Sequence, residues 1–207
     1  MARDLERPVD LSVDPCVRAA VLRLADDHVL LYLRAHHIVL DAFGFSLFNR
    51  RIAERYSAAV AGTEVAAARF DSVESVIREE SDYRDSADFD ADRDFWNAYL
   101  DGVDEAVALR PGPGGIARRS RGTRFTLDAD RQRGLVALGK EVGASWGDAV
   151  TALVAAYLRG VTGREDLTLG FPVMNRLGSA ALRVPITAVN VVPLRLNPTA
   201  SATLVEL

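Results

Sequence analysis

Two adjacent histidines, His36 and His37, stand just ahead of an aspartate, Asp41, in a chain with only three histidines. Imidazole is the one side chain whose unperturbed pKa suits proton transfer near neutrality. Neighbouring residues in an extended segment point to opposite faces. One ring can therefore face a cavity while the other packs and holds the loop. The same geometry argues against zinc, and no His-Glu-x-x-His helical pair is present. The Asp41 carboxylate could orient an imidazole or pair with an arginine and fix the loop. A serine nucleophile fits poorly: Gly44-Phe45-Ser46-Leu47-Phe48 lacks the second glycine of a Gly-x-Ser-x-Gly elbow, and Ser46 reads as the start of a helix. Gly112-Pro113-Gly114-Gly115 lacks the spacing and the Lys-Ser/Thr of a phosphate loop and reads as linker.

The elements that must hold this loop are a strand before it and a helix after it. Residues 28–35 are dense in apolar side chains, as in a central strand buried on both faces. Residues 17–25 are short and mixed. Phe45, Phe48, Ile52 and Tyr56 recur at helical spacing and predict a helix over 45–61, stopped by Gly62. Two more helices are expected at 71–81, begun by Asp71 and Glu74, and at 88–100, with acids at its start. Phe89, Phe95, Trp96, Tyr99 and Leu100 form its packing face. Residues 110–122 are a Pro/Gly-rich linker. It divides the chain into 1–109 and 123–207. After it come a strand at 123–127 and helices at 129–141 and 146–160, the latter capped by Ser145 and Asp148. Strands follow at 167–173 and 186–196, with Pro193 marking the last as an edge or a bulge. The alternation predicts an α/β layered protein.

Composition limits the function classes. The 207 residues carry 25 basic and 29 acidic side chains, a net charge of −4, which gives no electrostatic case for nucleic acid. Lys140 is the only lysine, so the positive charge is almost all arginine. Cys16 is the only cysteine, which excludes an internal disulfide and fits a reducing cytoplasm. The N-terminal residues carry acids and lack the apolar core of a signal peptide. No apolar run reaches the ~18–20 residues of a membrane span. No membrane partner is expected, and a cytoplasmic location is.

His36-His37-Ile38-Val39-Leu40-Asp41 resembles the His-His-x-x-x-Asp-Gly motif of nonribosomal peptide synthetase condensation domains. Further segments follow in the family's order. They are Ser81-Asp82-Tyr83, Asp94-Phe95-Trp96, Leu169-Gly170-Phe171-Pro172-Val173-Met174-Asn175-Arg176, and Val189-Asn190-Val191-Val192-Pro193-Leu194-Arg195. Arg176–Leu182 is similar to condensation domains of the enterobactin-synthase type.

The resemblance implies a chloramphenicol-acetyltransferase-like, two-lobed α/β fold around a tunnel. Residues 1–109 would be the latter part of the N-terminal lobe and 123–207 the first part of the C-terminal lobe, incomplete at both ends. It implies an acyltransferase that joins a carrier-bound acyl or peptidyl thioester to a carrier-bound aminoacyl amine. His37 would be catalytic. His36, Asp41, Ala42 and Gly44 would support the loop, with Asp41 held by an arginine, and Asn190 would contact substrate. No intrinsic cofactor or metal is implied. The phosphopantetheine arms of peptidyl or aryl carrier proteins would bring the substrates, with adenylation domains in the same assembly line. An epimerisation domain, a free-standing acyltransferase and an inactive carrier-docking fragment are the competing readings. The motif's glycine is Ala42 here, and Gly44, two places on, is expected to take over its bend.

Overall fold

The computed structural model describes residues 4, 6–67, 70–103, 109, 122–199, 201–203 and 206. Most of the expected linker, 110–121, lies outside the described residues. Contacts divide the chain into two compact units, Met1–Asp94 with Pro172–Val191, and Phe95–Phe171 with Val192–Leu207.

The first unit begins with an antiparallel hairpin, β1 (Val17–Ala25) and β2 (His28–Ala35). The mixed residues 17–25 are thus a strand. Their apolar alternation is masked by Arg18 and Arg23, which are ion-paired to Asp14 and Asp26. The pairing runs from Val17↔Ala35 to Ala25↔His28, with an irregularity between Arg23 and Ala25. One further bond, His36 N–H to the Cys16 carbonyl at 2.8 Å, carries the ladder into the histidine pair. β2 is not doubly buried: Val29, Leu30 and Leu31 are 40–51% exposed. The apolar run alone could not show whether neighbours cover both faces.

Helix α1 (Ala42–Ala61) starts three residues earlier than its apolar spacing indicates, because Asp41 caps it. The Asp41 side chain accepts the Gly44 N–H, which satisfies one of the orphan donors of the first turn. Ser46 therefore lies inside the helix and donates to the Phe43 carbonyl. At the other end Gly62 adopts φ 66°, the left-handed stop expected of it. Helix α2 (Val73–Arg84) is capped by Ser72 rather than by Asp71, whose carboxylate instead pairs with Arg183 at 2.7 Å.

Helix α3 spans Ala87–Tyr99. In its first-unit part Phe89 packs edge-on to Tyr83, whose hydroxyl donates to Asp92 at 2.8 Å. A 3₁₀ turn at Ala180–Arg183 is fastened to α2 by the Ala180 N–H, which donates to Glu79 at 2.9 Å.

The second unit holds α4 (Ala129–Glu141), α5 (Trp146–Thr162), and most of the two-stranded sheet of β3 (Leu167–Val173) and β4 (Asn190–Leu196). The capping box of Ser145 and Asp148 forms as expected. Ala155 and Leu158 of α5 close on Leu167, with Leu169 and Leu196 around them. Burying each such leucine contributes about 1.5–3 kcal/mol. Phe95, Trp96 and Tyr99 form one aromatic cluster, Phe95 stacked on Tyr99 and Trp96 edge-on to both. The Tyr99 hydroxyl accepts the Arg195 N–H at 2.7 Å, and the Arg195 guanidinium holds Asp166 at 2.6 Å. Residues 123–127, expected as a strand, are irregular. Among the described residues no strand pairs with them.

Candidate active-site loop

The ladder of β1 and β2 ends at His36, and the chain turns at once, the Val39 N–H donating to the His36 carbonyl at 3.1 Å. His36 is half-buried and its Nδ1 accepts the Ile38 N–H at 3.1 Å. His37 is exposed. The two rings are thus separated, one turned onto its own backbone and the other open to solvent. Among the described residues no cluster of three His, Cys, Asp or Glu side chains gathers as a metal site. No helix among them is long and apolar enough to cross a membrane.

Asp41 is 4% exposed and faces Arg176, which is fully buried. The guanidinium Nη2 donates to both carboxylate oxygens at 3.0 Å. It also donates to the Ile186 carbonyl at 2.6 Å, while Nη1 donates to the carbonyls of Ala181 and Val184. The Phe43 ring lies 4.9 Å from the guanidinium carbon. Asp41 in turn accepts from Gly44 at 2.7 Å and from the Ala188 and Val189 N–H groups, each at 2.9 Å. One ion pair thus ties the histidine loop, the start of α1 and the strip 181–189 together. Asn175, in the left-handed region at φ 52°, turns the chain directly ahead of Arg176. Asparagine tolerates that conformation better than most residues.

Comparison with known proteins decides the family. The sequence matches the family described as Condensation domain over residues 1–207. The chain belongs to that family. It is 42% identical to an isonitrile lipopeptide synthase of Streptomyces coeruleorubidus, aligning over 100% of this chain and 14% of the synthase. It is 33% identical to enterobactin synthase component F of Escherichia coli O157:H7, over 100% of this chain and 16% of that protein. Among solved structures it resembles the first condensation domain of the CDA synthetase, with a TM-score of 0.87 at 32% identity. It also resembles VibH, an NRPS condensation enzyme, with a TM-score of 0.81 at 31% identity. It covers 99% of this chain in both comparisons, and 46% and 49% of the two solved chains. The chain therefore spans about half the length of these solved relatives. The fold is the chloramphenicol-acetyltransferase-like architecture of condensation domains, represented in part.

Within this condensation-domain sequence the departure at Ala42 has a simple reading. Ala42 is the exposed first residue of α1, and neither it nor Gly44 has positive φ. No bend is shifted to Gly44. What Gly44 supplies is space: a Cβ there would press into the Ile186 carbonyl oxygen and lie 3.0 Å from the Ile186 nitrogen. Gly44→Ala is expected to cost about 1–3 kcal/mol through this overpacking. Ala42→Gly should cost under about 1 kcal/mol of helix propensity. Thermal denaturation of the two variants side by side checks the order.

The electrostatics of Asp41 follow from its partners. Burial alone would raise its pKa, but the donors from Gly44, Ala188, Arg176 and Val189 outweigh that and bring it from 3.8 to about 2. A depressed folded-state pKa gives stability that is present above the unfolded value and lost as pH falls through the folded one. The contribution is about 2 kcal/mol at neutral pH. It should be intact above about pH 4 and fade toward pH 2. Acid unfolding of the wild type against Asp41→Asn tests this, the gap between them narrowing over that interval.

Asn190 opens β4 one residue beyond Val189; it is exposed, and its Oδ1 accepts the Val191 N–H at 2.8 Å. The segment 186–189, expected as the start of that strand, is irregular because its polar groups serve Asp41, Arg176 and His37 rather than a neighbouring strand. Two residues of the site were not legible as such. Arg176 ends the segment Leu169–Arg176, but nothing local marked it as the partner of Asp41. The hydroxyl of Thr187, which donates to the His37 carbonyl, had no signal at all.

Proposed function

We propose that this chain carries the acid–base centre of an amide-forming condensation reaction, with His37 at that centre. The observation that supports it most is an exposed imidazole on a loop held by a fully buried ion pair. An exposed functional side chain on a rigid support is what proton transfer to a bound substrate requires. The acceptor's amine nitrogen attacks the donor's thioester carbonyl carbon. The C–N bond forms, the C–S bond breaks, and the pantetheine thiol departs with a proton. His37 takes the amine's proton or stabilises the charged tetrahedral intermediate.

The donor and acceptor would be acyl and aminoacyl groups on the phosphopantetheine arms of carrier proteins, loaded by adenylation domains of the same assembly line. Asp41, with Ala42 and Gly44 at the head of α1, would keep the loop in shape. His36 would hold the backbone, and Asn190 would meet the acyl group or the intermediate.

The test uses the protein that carries this chain, an acyl-pantetheine thioester and an aminoacyl-pantetheine thioester. Mass spectrometry should find the amide with wild type and not with His37→Ala. Washout of deuterium from the aminoacyl α-carbon with no amide formed would overturn the reading in favour of epimerisation.

A further inference from the structure

Among the described residues no hydrogen bond or ion pair reaches the His37 imidazole. Where the ring is carried, and which rotamers are open to it, therefore follow from its backbone. That backbone is held on both sides. The carbonyl of the His37–Ile38 peptide accepts the Thr187 hydroxyl at 2.5 Å, and its N–H donates to His36 Nδ1 at 3.1 Å.

Thr187 is itself fixed. Ile186 before it accepts from Arg176, and Ala188 after it donates to Asp41. Its β-branched side chain has little rotamer freedom. The strip otherwise grips the loop through main-chain atoms, so Thr187 is the one position where a side chain of 186–189 contributes a hydrogen bond to it.

We propose that Thr187, together with His36, is a positioning residue for His37, clamping the His37–Ile38 peptide so that the imidazole points at the reacting atoms. The proposal rests on the catalytic reading of His37. Small misplacements of a catalytic group can cost up to about 10²-fold in rate. Thr187→Val keeps the shape and removes the hydroxyl.

With the same two pantetheine thioesters and the intact protein, Thr187→Val should lower kcat about tenfold and leave KM within about twofold. Thr187→Ser should restore most of kcat. Hydrogen exchange provides a structural control. The Ile38 amide should exchange faster in Thr187→Val while Ala188 and Val189 stay protected. Loss of protection at all three would make Thr187 a general support of the strip and overturn the proposal. So would a wild-type kcat in Thr187→Val. If His37→Ala keeps the wild-type rate, the catalytic reading itself fails. If His37→Ala is inactive and Thr187→Val is unaffected, only the clamp fails.

Discussion

Arg176→Leu is expected to destabilise the first unit by about 3–5 kcal/mol, because it leaves the Asp41 carboxylate buried without its countercharge. Many buried ion pairs can be replaced by two apolar side chains at little cost. This one should not be. Arg176 satisfies the carbonyls of Ala181, Val184 and Ile186, and Asp41 satisfies the N–H groups of Gly44, Ala188 and Val189. Removing both side chains orphans the three N–H groups, each costing about 1–3 kcal/mol where it stays buried, and takes one of two donors from each of the three carbonyls. The double variant Asp41→Leu/Arg176→Leu should therefore be no more stable than Arg176→Leu. Hydrogen exchange at Ala188 and Val189 gives the local readout. Both amides should lose protection in the single variant and not regain it in the double. Recovery of protection in the double variant would mean that the charges, and not the backbone they satisfy, hold the strip.

His37→Ala should show the opposite pattern. The ring is exposed and holds nothing, so stability should change by less than about 0.5 kcal/mol. The rate of amide formation should fall about 10²–10⁴-fold, the usual contribution of a positioned acid or base. Denaturation curves that overlay while the rates differ would separate chemistry from folding. A rate within threefold of wild type would sink the role assigned to His37.

The contrast between these two positions explains what could be read from the sequence. The loop was legible because its chemistry is contiguous: His36, His37 and Asp41 lie within six residues, between a strand ending at Ala35 and a helix starting at Ala42. The start of helix α5 was legible because Ser145 and Asp148 mark it locally. Arg176 lies 135 residues from Asp41, in a chain whose 25 basic residues include one lysine, so nothing local separates it from the other arginines. Strand β1 was hidden because its apolar rhythm is broken by ion-paired arginines. The stretch 186–189 looked like strand because three of its four side chains are apolar, yet its hydrogen bonds go to a carboxylate, a guanidinium and the histidine loop, partners no periodicity reveals.

The main-chain character of that grip has a consequence for how such a site can change over time. At Ile186, Ala188 and Val189 the loop is held by a carbonyl and two N–H groups, which nearly every residue supplies alike. Only proline at 188 or 189 would remove a donor. These three hydrogen bonds therefore do not depend on which side chains the positions carry, and the exposed Val189 is the one most open to change. Variation is costlier where α1 meets the strip, because any side chain at residue 44 would press into the Ile186 backbone.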